Sequence, residues 1–376
     1  TRVADILKSV KEKGDETIFS LTRLFDKADL LSLEVTPQEI NDALLKTDEK
    51  LLEVFKKAKK NITDFHMHQK RSGFEIKNPD GTILGQKITP IKRVGIYVPG
   101  GTAAYPSTVL MDSIPAKIAG VSELVMTTPP QSDGTINPAI LAAAYVAGVD
   151  KIYKIGGAQA IAALAFGTET IERVDKIVGP GNAYVAKAKR QVYGVVDIDM
   201  IAGPSEILII SDKKSSPRHV AADMLSQAEH DKMASAVLIT DDEQFAYAVI
   251  NELNLQIPLL PRSETAAASI KSNGKIIIAD SIENAIKISN EIAPEHLELC
   301  LDNPFDYLEK VQNAGSVFLG RNCPEALGDY FSGTNHTLPT SGTARFASPL
   351  SVDDFIKKTS YTYYSKENLS RVADDI

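Results

Sequence analysis

The sequence predicts an α/β protein with two mainly parallel β-sheets, an N-terminal helical segment and a C-terminal arm. Short runs of β-branched and aliphatic residues alternate with longer stretches that have helical periodicity. The alternation occurs in two series, and Ala202-Gly203-Pro204-Ser205 separates them. With 376 residues, the chain is long enough for two domains with sizeable cores.

The N-terminal segment, roughly the first 75 residues, is predicted to be mostly helical because its aliphatic side chains recur at helical spacing. Pro37 is suited to the first turn of a helix, and Thr36 is suited to cap it. Pro79-Asp80-Gly81-Thr82 then predicts a turn between two short strand-like runs.

The first βα series predicts strands at 93–98, 123–128, 151–155 and 176–178. The helices between and after them are predicted at 107–119, 139–147, 159–166 and 182–192. Repeated βα units favour a parallel sheet with helices on both faces.

The second series predicts strands at 206–210, 236–240, 275–279, 297–301 and 316–319. Its helices are predicted at 218–229, 243–255, 282–292 and 304–312. Residues 351–376 are polar, with one helix start at Ser351-Val352-Asp353-Asp354, and are therefore predicted to form an arm and not a core.

Composition argues against several classes of partner. The net charge is −8 and no basic block is present, so binding to nucleic acid or to anionic lipid is not expected. No apolar run approaches the ~18 residues that a membrane span requires. The two cysteines, Cys300 and Cys323, fit a reducing cytoplasm without a disulfide framework.

Residue types that perform chemistry are concentrated in the second half of the chain. Three of the six histidines, His230, His296 and His336, lie there in segments that each also carry a carboxylate or a carboxamide. Imidazole can bind a borderline metal ion and can transfer protons near neutral pH. The cluster therefore favours an enzyme.

Gln227 and His230 are three residues apart on a predicted helix, so they should share a face, and Asp223 lies on that face too. A metal ion could bind there, although Gln is an uncommon ligand and such pairs are usually solvated. Asp329 and His336 lie in a Gly-rich loop, where an Asx turn and a surface histidine are the ordinary interpretation.

Glu295 and His296 place an acid beside an imidazole. Adjacent side chains in an extended chain point to opposite faces, so the two need not touch, yet they could flank one substrate. Burial would move the pKa of the glutamate towards that of the histidine. Taken alone, the pair is more typical of a helix end with surface charges.

Two Gly-rich turns, Pro99-Gly100-Gly101-Thr102 and Gly179-Pro180-Gly181-Asn182, each follow a strand and precede a helix. Such turns can approach a phosphate group, but neither has the G-x-G-x-x-G pattern of dinucleotide sites. Both are more often simple βα turns. His66 and His68 should diverge on a helix and are not expected to chelate a metal ion.

Several segments of this chain, in their order, resemble the histidinol dehydrogenase family, and the resemblance covers most of the chain. They include Gly156-Gly157-Ala158-Gln159, Ser226-Gln227-Ala228-Glu229-His230 and Pro294-Glu295-His296. The full set of matching segments is 94–101, 156–161, 178–182, 202–206, 225–230, 293–297, 328–330 and 333–336. Each segment alone is modest evidence, but all of them in this order are highly specific.

The resemblance implies a four-electron oxidation of L-histidinol through L-histidinal to L-histidine, the last step of histidine biosynthesis, with NAD as oxidant and zinc as substrate anchor. It implies that Glu295 and His296 are the acid–base pair and that zinc binds Gln227, His230 and Asp329. The implied substrate contacts are Ser205, Gln227, His230, His296 and Asp329, and the implied NAD contacts are Tyr97, Gln159 and Asn182. His336 receives no firm role.

The resemblance also implies two incomplete Rossmann-like domains. Residues 97–205 would contact NAD, and residues 1–96 with 206–350 would form a discontinuous domain that carries the zinc and catalytic residues. The family is a homodimer in which the partner's C-terminal tail supplies a further histidine ligand and a substrate-binding glutamate. No histidine follows His336 in this chain, so that tail is expected to be truncated.

Three alternatives remain open from the sequence. A sister enzyme of the same family could oxidise another alcohol, such as a sulfonated diol, with the same NAD and zinc sites. A zinc hydrolase could use Glu295 as the base for a bound water, and it would have no use for NAD. A non-catalytic scaffold would bind a small molecule and would tolerate loss of Glu295 and His296.

Overall fold

The computed structural model describes residues 2–100 and 105–376, and in these residues it contains two five-stranded parallel sheets and a smaller antiparallel sheet. The strands are β1 Phe74–Lys77, β2 Ile83–Pro90, β3 Arg93–Tyr97, β4 Glu123–Thr128, β5 Lys151–Lys154, β6 Lys176–Val178, β7 Asp197–Ile198, β8 Glu206–Ser211, β9 Ser235–Thr240, β10 Lys275–Ile278, β11 His296–Cys300, β12 Ser316–Leu319 and β13 Ile356–Tyr363.

The α-helices cover both faces of the parallel sheets and form the N-terminal segment. They are α1 Arg2–Lys13, α2 Asp15–Phe25, α3 Pro37–Lys46, α4 Glu49–Met67, α5 Pro106–Ala119, α6 Pro138–Ala147, α7 Gly157–Phe166, α8 Ala183–Val192, α9 Pro217–Ala228, α10 Glu243–Gln256, α11 Ser263–Asn273, α12 Ile282–Ile292, α13 Phe305–Leu308, α14 Glu325–Leu327 and α15 Lys366–Val372.

The first parallel sheet has the strand order β5-β4-β3-β6-β7, with Val94 opposite Leu124 and Lys176. The N-terminal helices pack on this sheet's helices: α1 on α7, α3 on α6 and α4 on α5. The capping box of Thr36 with Glu39 opens α3, as the sequence predicts.

This packing differs from the predicted domain division. A boundary at 96/97 would cut through β3, and the apolar faces of α1–α4 join the hydrophobic core around residues 93–198, not that of residues 206–350. The physical reason is that helices α5, α6 and α7 present apolar outer surfaces, which need a further helical layer to cover them.

The second parallel sheet has the order β10-β9-β8-β11-β12. His296 begins β11 and lies opposite Ile207 of β8 and Ser316 of β12. Helix α11 was not predicted, because its Ser- and Ala-rich sequence has little apolar periodicity. Helix α13 ends at Leu308 and is shorter than the predicted 304–312.

The arm is only partly separate from the core. Phe355, and Leu350 just before the arm, are buried in the hydrophobic core of the first parallel sheet. Ser351 with Asp354 forms a capping box that opens a short 3-10 helix, Val352–Phe355. β13 then pairs antiparallel with β2, which also pairs with β1, in a sheet whose residues are mostly exposed. Among the described residues, no helix is both long and apolar enough to cross a bilayer.

Candidate active site

A cavity of about 490 Å³ lies between the two parallel sheets. The first sheet faces it with the carboxyl ends of its strands, since the turns after β3, β6 and β7 line it. The second sheet faces the cavity with the amino ends of its strands, because the residues just before β8 and at the start of β11 line it. The lining includes the predicted residues Asn182, Ser205, Gln227, His230, Glu295, His296, Asp329 and His336.

Gln227 and His230 meet as their spacing predicts, although α9 ends at Ala228. The His230 N–H donates to the Gln227 carbonyl over 3.0 Å, which continues the turn. His230 Nδ1 lies 3.3 Å from Gln227 Oε1. Burial lowers the pKa of His230 although Glu229 and Asp329 act in the other direction, so its imidazole is held neutral, the form that binds a metal ion. Asp223 does not line this cavity.

Glu295 and His296 are both fixed by the backbone of Glu206. Glu295 Oε2 accepts a hydrogen bond from the Glu206 N–H over 2.8 Å, and His296 Nδ1 donates to the Glu206 carbonyl over 2.9 Å. The two side chains point into one cavity, and Glu295 Oε2 lies 3.7 Å from His296 Nδ1. The ring nitrogen left for chemistry is therefore His296 Nε2.

The charge states of this pair depend on burial and on neighbouring carboxylates. Burial raises the pKa of Glu295 to about 7. Burial works to lower the pKa of His296, but the carboxylates of Glu295 and Asp329 outweigh it and raise that pKa to about 10. In this arrangement His296 is an imidazolium that donates to Asp329.

Asp329 is brought to the cavity by a π-helix, Gly328–Ser332, which follows α14. Asp329 is 8% exposed, and both of its carboxylate oxygens lie 3.2 Å from His296 Nε2. A Cβ at Gly328 would lie 2.2 Å from the Phe318 ring, so the close approach of this segment to β12 requires glycine.

Glu325 is a site residue that the sequence analysis missed. Donor atoms of His296, Glu325 and Asp329 all lie within 4.8 Å of one another. Glu325 Oε2 accepts from Ser226 Oγ over 2.8 Å, and its buried Oε1 has no hydrogen-bond partner among the described residues. Its position four residues before Asp329, one helical turn away, is the signal that could have identified it.

His336 lines the cavity from the segment after the π-helix. Burial lowers the pKa of His336, and its buried Nε2 has no hydrogen-bond partner within residues 2–100 and 105–376. The next residue, Thr337, donates through Oγ1 to Asp112 Oδ1 over 2.7 Å, which ties this segment to α5.

The three predicted NAD contacts occupy different environments. Asn182 lines the cavity and caps α8, because its Oδ1 accepts from the N–H groups of Tyr184 and Val185 over 3.0 and 3.2 Å. Tyr97 and Gln159 are 4% and 2% exposed and lie outside the cavity lining; the Gly157 N–H donates to the Tyr97 hydroxyl over 3.1 Å. Gly101 and Thr102 of the first Gly-rich turn lie outside the described residues.

The donor atoms that line the cavity are of the types that zinc prefers as ligands. A carboxamide oxygen, a neutral imidazole and a carboxylate, from Gln227, His230 and Asp329, line one cavity, and zinc accepts nitrogen and oxygen ligands. Among the His, Cys, Asp and Glu side chains of the described residues, His296, Glu325 and Asp329 form a group whose donor atoms lie within 4.8 Å of one another, and this group shares Asp329 with the predicted ligand set. The buried, unpartnered atoms Glu325 Oε1 and His336 Nε2 mark the same region as one that can accept further coordination or hydrogen bonds.

His66 and His68 lie in different environments. His66 is buried and its Nδ1 donates to the Ile62 carbonyl over 2.9 Å, whereas His68 caps α4 and is exposed.

Comparison with known proteins gives consistent results. The sequence profile described as "Histidinol dehydrogenase" matches residues 1–376. A histidinol dehydrogenase of Clostridium acetobutylicum is 56% identical over 371 residues, which are 99% of this chain and 86% of the relative. One from Listeria monocytogenes is 54% identical over 376 residues, 100% of this chain and 88% of the relative. The crystal structure of histidinol dehydrogenase from Elizabethkingia anophelis has a TM-score of 0.95 at 43% identity and covers 100% of this chain and 86% of that chain.

Proposed function

This chain belongs to the histidinol dehydrogenase family, and on that basis we propose that it oxidises L-histidinol to L-histidine through L-histidinal, using two NAD and a zinc ion. The reaction would be the last step of histidine biosynthesis. The observation that carries the proposal is the convergence of Gln227, His230, Glu295, His296 and Asp329 on one cavity between the two parallel sheets.

Zinc would be held by Gln227, His230 and Asp329. Bound there, it would supply an anchor for the imidazole and amine nitrogens of the substrate, with no redox role. The neutral state of His230 and the buried carboxylate of Asp329 support this assignment. Ser205, which lines the same cavity, would contact the substrate.

In the first oxidation, His296 Nε2 would accept the hydroxyl proton of L-histidinol while a hydride leaves the alcohol carbon for NAD. The Glu206 carbonyl holds Nδ1 as the donor nitrogen, so Nε2 is the nitrogen that can change protonation. The carboxylates of Glu295 and Asp329 hold His296 as an imidazolium while no cation is bound. With zinc bound at Asp329, that carboxylate charge would be offset and the pKa of His296 would fall, which would leave Nε2 free to accept the proton.

In the second oxidation, Glu295 would accept a proton from water as the water adds to the aldehyde. The hydrated aldehyde would then lose a hydride to the second NAD and a proton to the acid–base pair, which gives the carboxylic acid. A pKa of about 7 suits Glu295 to both accept and release that proton near neutral pH.

NAD would enter from the side of the first sheet, where Asn182 and its turn line the cavity. Tyr97 and Gln159, which are buried outside the cavity lining, would provide further contacts to NAD. Each NADH has to leave before the next NAD binds. The aldehyde would stay bound between the two steps, because a released aldehyde would be lost to side reactions.

The proposal includes a homodimer in which the partner's C-terminal tail completes the site, and a cytoplasmic location. The family resemblance supports the dimer, and the free cysteines Cys300 and Cys323 agree with a reducing compartment.

The test follows NADH absorbance with zinc-loaded protein and a panel of alcohols that includes L-histidinol and a sulfonated diol. We expect two NADH per L-histidinol consumed and L-histidine as the product. Faster oxidation of another alcohol would assign the chain to a sister activity. No NAD reduction with any alcohol would contradict the proposal.

A further inference from the structure

We propose that Lys189 and Asp199 are positioning residues for the cofactor: their buried ion pair holds the Gly179 peptide, and through it the turn 179–182, ready for NAD. This inference rests on the proposed function and adds two residues to it. Neither residue belongs to the catalytic or metal-binding sets described above.

The pair binds the backbone of Gly179 on both sides of its Cα. The Lys189 ammonium donates to the Gly179 carbonyl over 2.9 Å and to Asp199 Oδ1. Asp199 Oδ2 accepts from the Gly179 N–H over 2.8 Å, and Oδ1 also accepts from the Met200 N–H over 2.6 Å. The N–H and the C=O of Gly179 are thus both fixed by the same ion pair.

The turn that this pair holds has little freedom of its own. Gly179 has φ +110°, and a Cβ there would lie 2.2 Å from the Tyr97 carbonyl oxygen at the end of β3. Any rotation of the Gly179 peptide would therefore move Pro180, Gly181 and Asn182, all of which line the cavity.

The same pair reaches a second wall of the cavity. Asp199 and Met200 line it directly and begin the connection to Ser205. Because Lys189 lies on α8 and Asp199 follows β7, the ion pair joins the turn after one strand to the turn after its neighbour.

The ion pair is almost completely removed from water: the side chains of Lys189 and Asp199 are 2% and 1% exposed. Desolvation of two charges usually offsets their attraction, so packing alone would be served equally well by apolar side chains. The feature that apolar side chains could not reproduce is the simultaneous hydrogen bonding of the Gly179 N–H and C=O.

Asp112 faces the pair from α5. Its Oδ1 accepts from Thr337 Oγ1 over 2.7 Å. Burial raises the pKa of Asp112 to about 8, so it is mostly neutral at pH 7 and leaves the ammonium matched to Asp199 alone.

The experiment compares NADH binding by wild-type protein and by the double variant Lys189→Met/Asp199→Asn, which removes both charges and leaves neither buried alone. Fluorescence titration should show a Kd for NADH raised about tenfold, with the KM for NAD raised in parallel. Calorimetry should show L-histidinol binding to the zinc-loaded variant within about twofold of wild type, since that anchor lies on the second sheet.

The matched control is Arg93→Met/Glu123→Gln. Arg93 is also a largely buried cation, paired with the carboxylates of Glu123 and of the exposed Glu172, but it lies at the amino end of β3, away from the cavity. Its loss should lower the melting temperature without changing the Kd for NADH. Should the first double variant not fold, Asp199→Asn alone keeps the side-chain volume and should still weaken NADH binding severalfold.

Equal NADH binding by wild type and the Lys189 or Asp199 variants would overturn the positioning role, as would equal weakening by the Arg93 control. The proposed function fails separately, if the wild type binds NADH but does not oxidise L-histidinol. A wild type that binds no NADH would overturn both.

Discussion

His296 Nε2 lies 3.2 Å from both carboxylate oxygens of Asp329. The residue proposed as the base and a residue proposed as a metal ligand are therefore in direct contact. Since Nδ1 of the same ring is fixed by the Glu206 carbonyl, the Nε2 proton is the one that Asp329 stabilises. The base strength of His296 and the binding of a metal ion at Asp329 are therefore coupled at this contact.

His296→Ala should leave zinc bound but abolish efficient oxidation of L-histidinol. Loss of a general base typically lowers kcat by about 10²- to 10⁴-fold. Zinc content by metal analysis and NADH formation would be measured together, with the exposed His68→Ala as the control that changes neither. Full activity of His296→Ala would remove its assigned role.

Glu295→Gln should mainly impair the second oxidation, because the amide cannot accept a proton from water. With L-histidinal as substrate, the wild-type rate should rise with pH through about 7, the pKa to which burial raises Glu295. The variant should be slow and should lack this rise. A variant profile that still rises through neutral pH would assign the titrating group to another residue.

The same substitution should change how stability depends on pH. Burial raises the Glu295 pKa from 4.5 to about 7, so between these values the folded chain binds more protons than the unfolded chain. This carboxyl therefore makes the free energy of unfolding fall as pH rises, by up to roughly 3 kcal/mol in total. Urea unfolding of Glu295→Gln should show a smaller fall with pH, and an unchanged fall would contradict the buried environment.

Asp329→Asn should weaken zinc binding and lower the pKa of His296. The carboxylate is a proposed ligand, and even changes to groups behind the ligands cost about 10- to 100-fold in metal affinity. Competition with a chromophoric chelator measures the affinity, and NMR of the histidine ring measures the pKa. Glu325→Gln, which keeps its volume and its hydrogen bond from Ser226, should have a smaller effect on zinc. A larger loss of zinc affinity in Glu325→Gln than in Asp329→Asn would assign the ligand role to Glu325 in place of Asp329.

Gly328→Ala should destabilise the chain and slow catalysis, because the new Cβ would lie 2.2 Å from the Phe318 ring. That ring is 6.0 Å from the His296 ring, centroid to centroid, so its displacement reaches the site. We expect a loss of about 1–3 kcal/mol, which is typical of overpacking. Adding Phe318→Leu should recover part of the loss; no recovery would show that the contact is not the cause.

Much of the fold follows from local patterns in the sequence. The βα alternation predicts nearly all the strands of both parallel sheets, and the Thr36 cap predicts the start of α3. Local patterns do not predict how elements that are far apart in the chain pack against one another. Nothing in the spacing of α1–α4 shows which sheet they cover, and the pairing of β13 with β2 joins residues that are far apart in the chain.

The candidate site, like the fold, is predictable from the sequence only where it depends on local spacing. The one-turn spacing of Gln227 and His230 predicts that their side chains meet, whereas the contact of His296 with Asp329 depends on the π-helix at Gly328–Ser332. Glu325 has only its one-turn spacing from Asp329 as a signal, and the Lys189–Asp199 pair has none, because its importance comes from burial and not from spacing.

The measurement that tests the central claim most directly is a calorimetric titration of L-histidinol into zinc-loaded protein and into protein stripped with a chelator. If Gln227, His230 and Asp329 hold a cation that grips the substrate, binding heat should appear only with zinc and should return when zinc is restored. Equal binding by the stripped protein would contradict the claim.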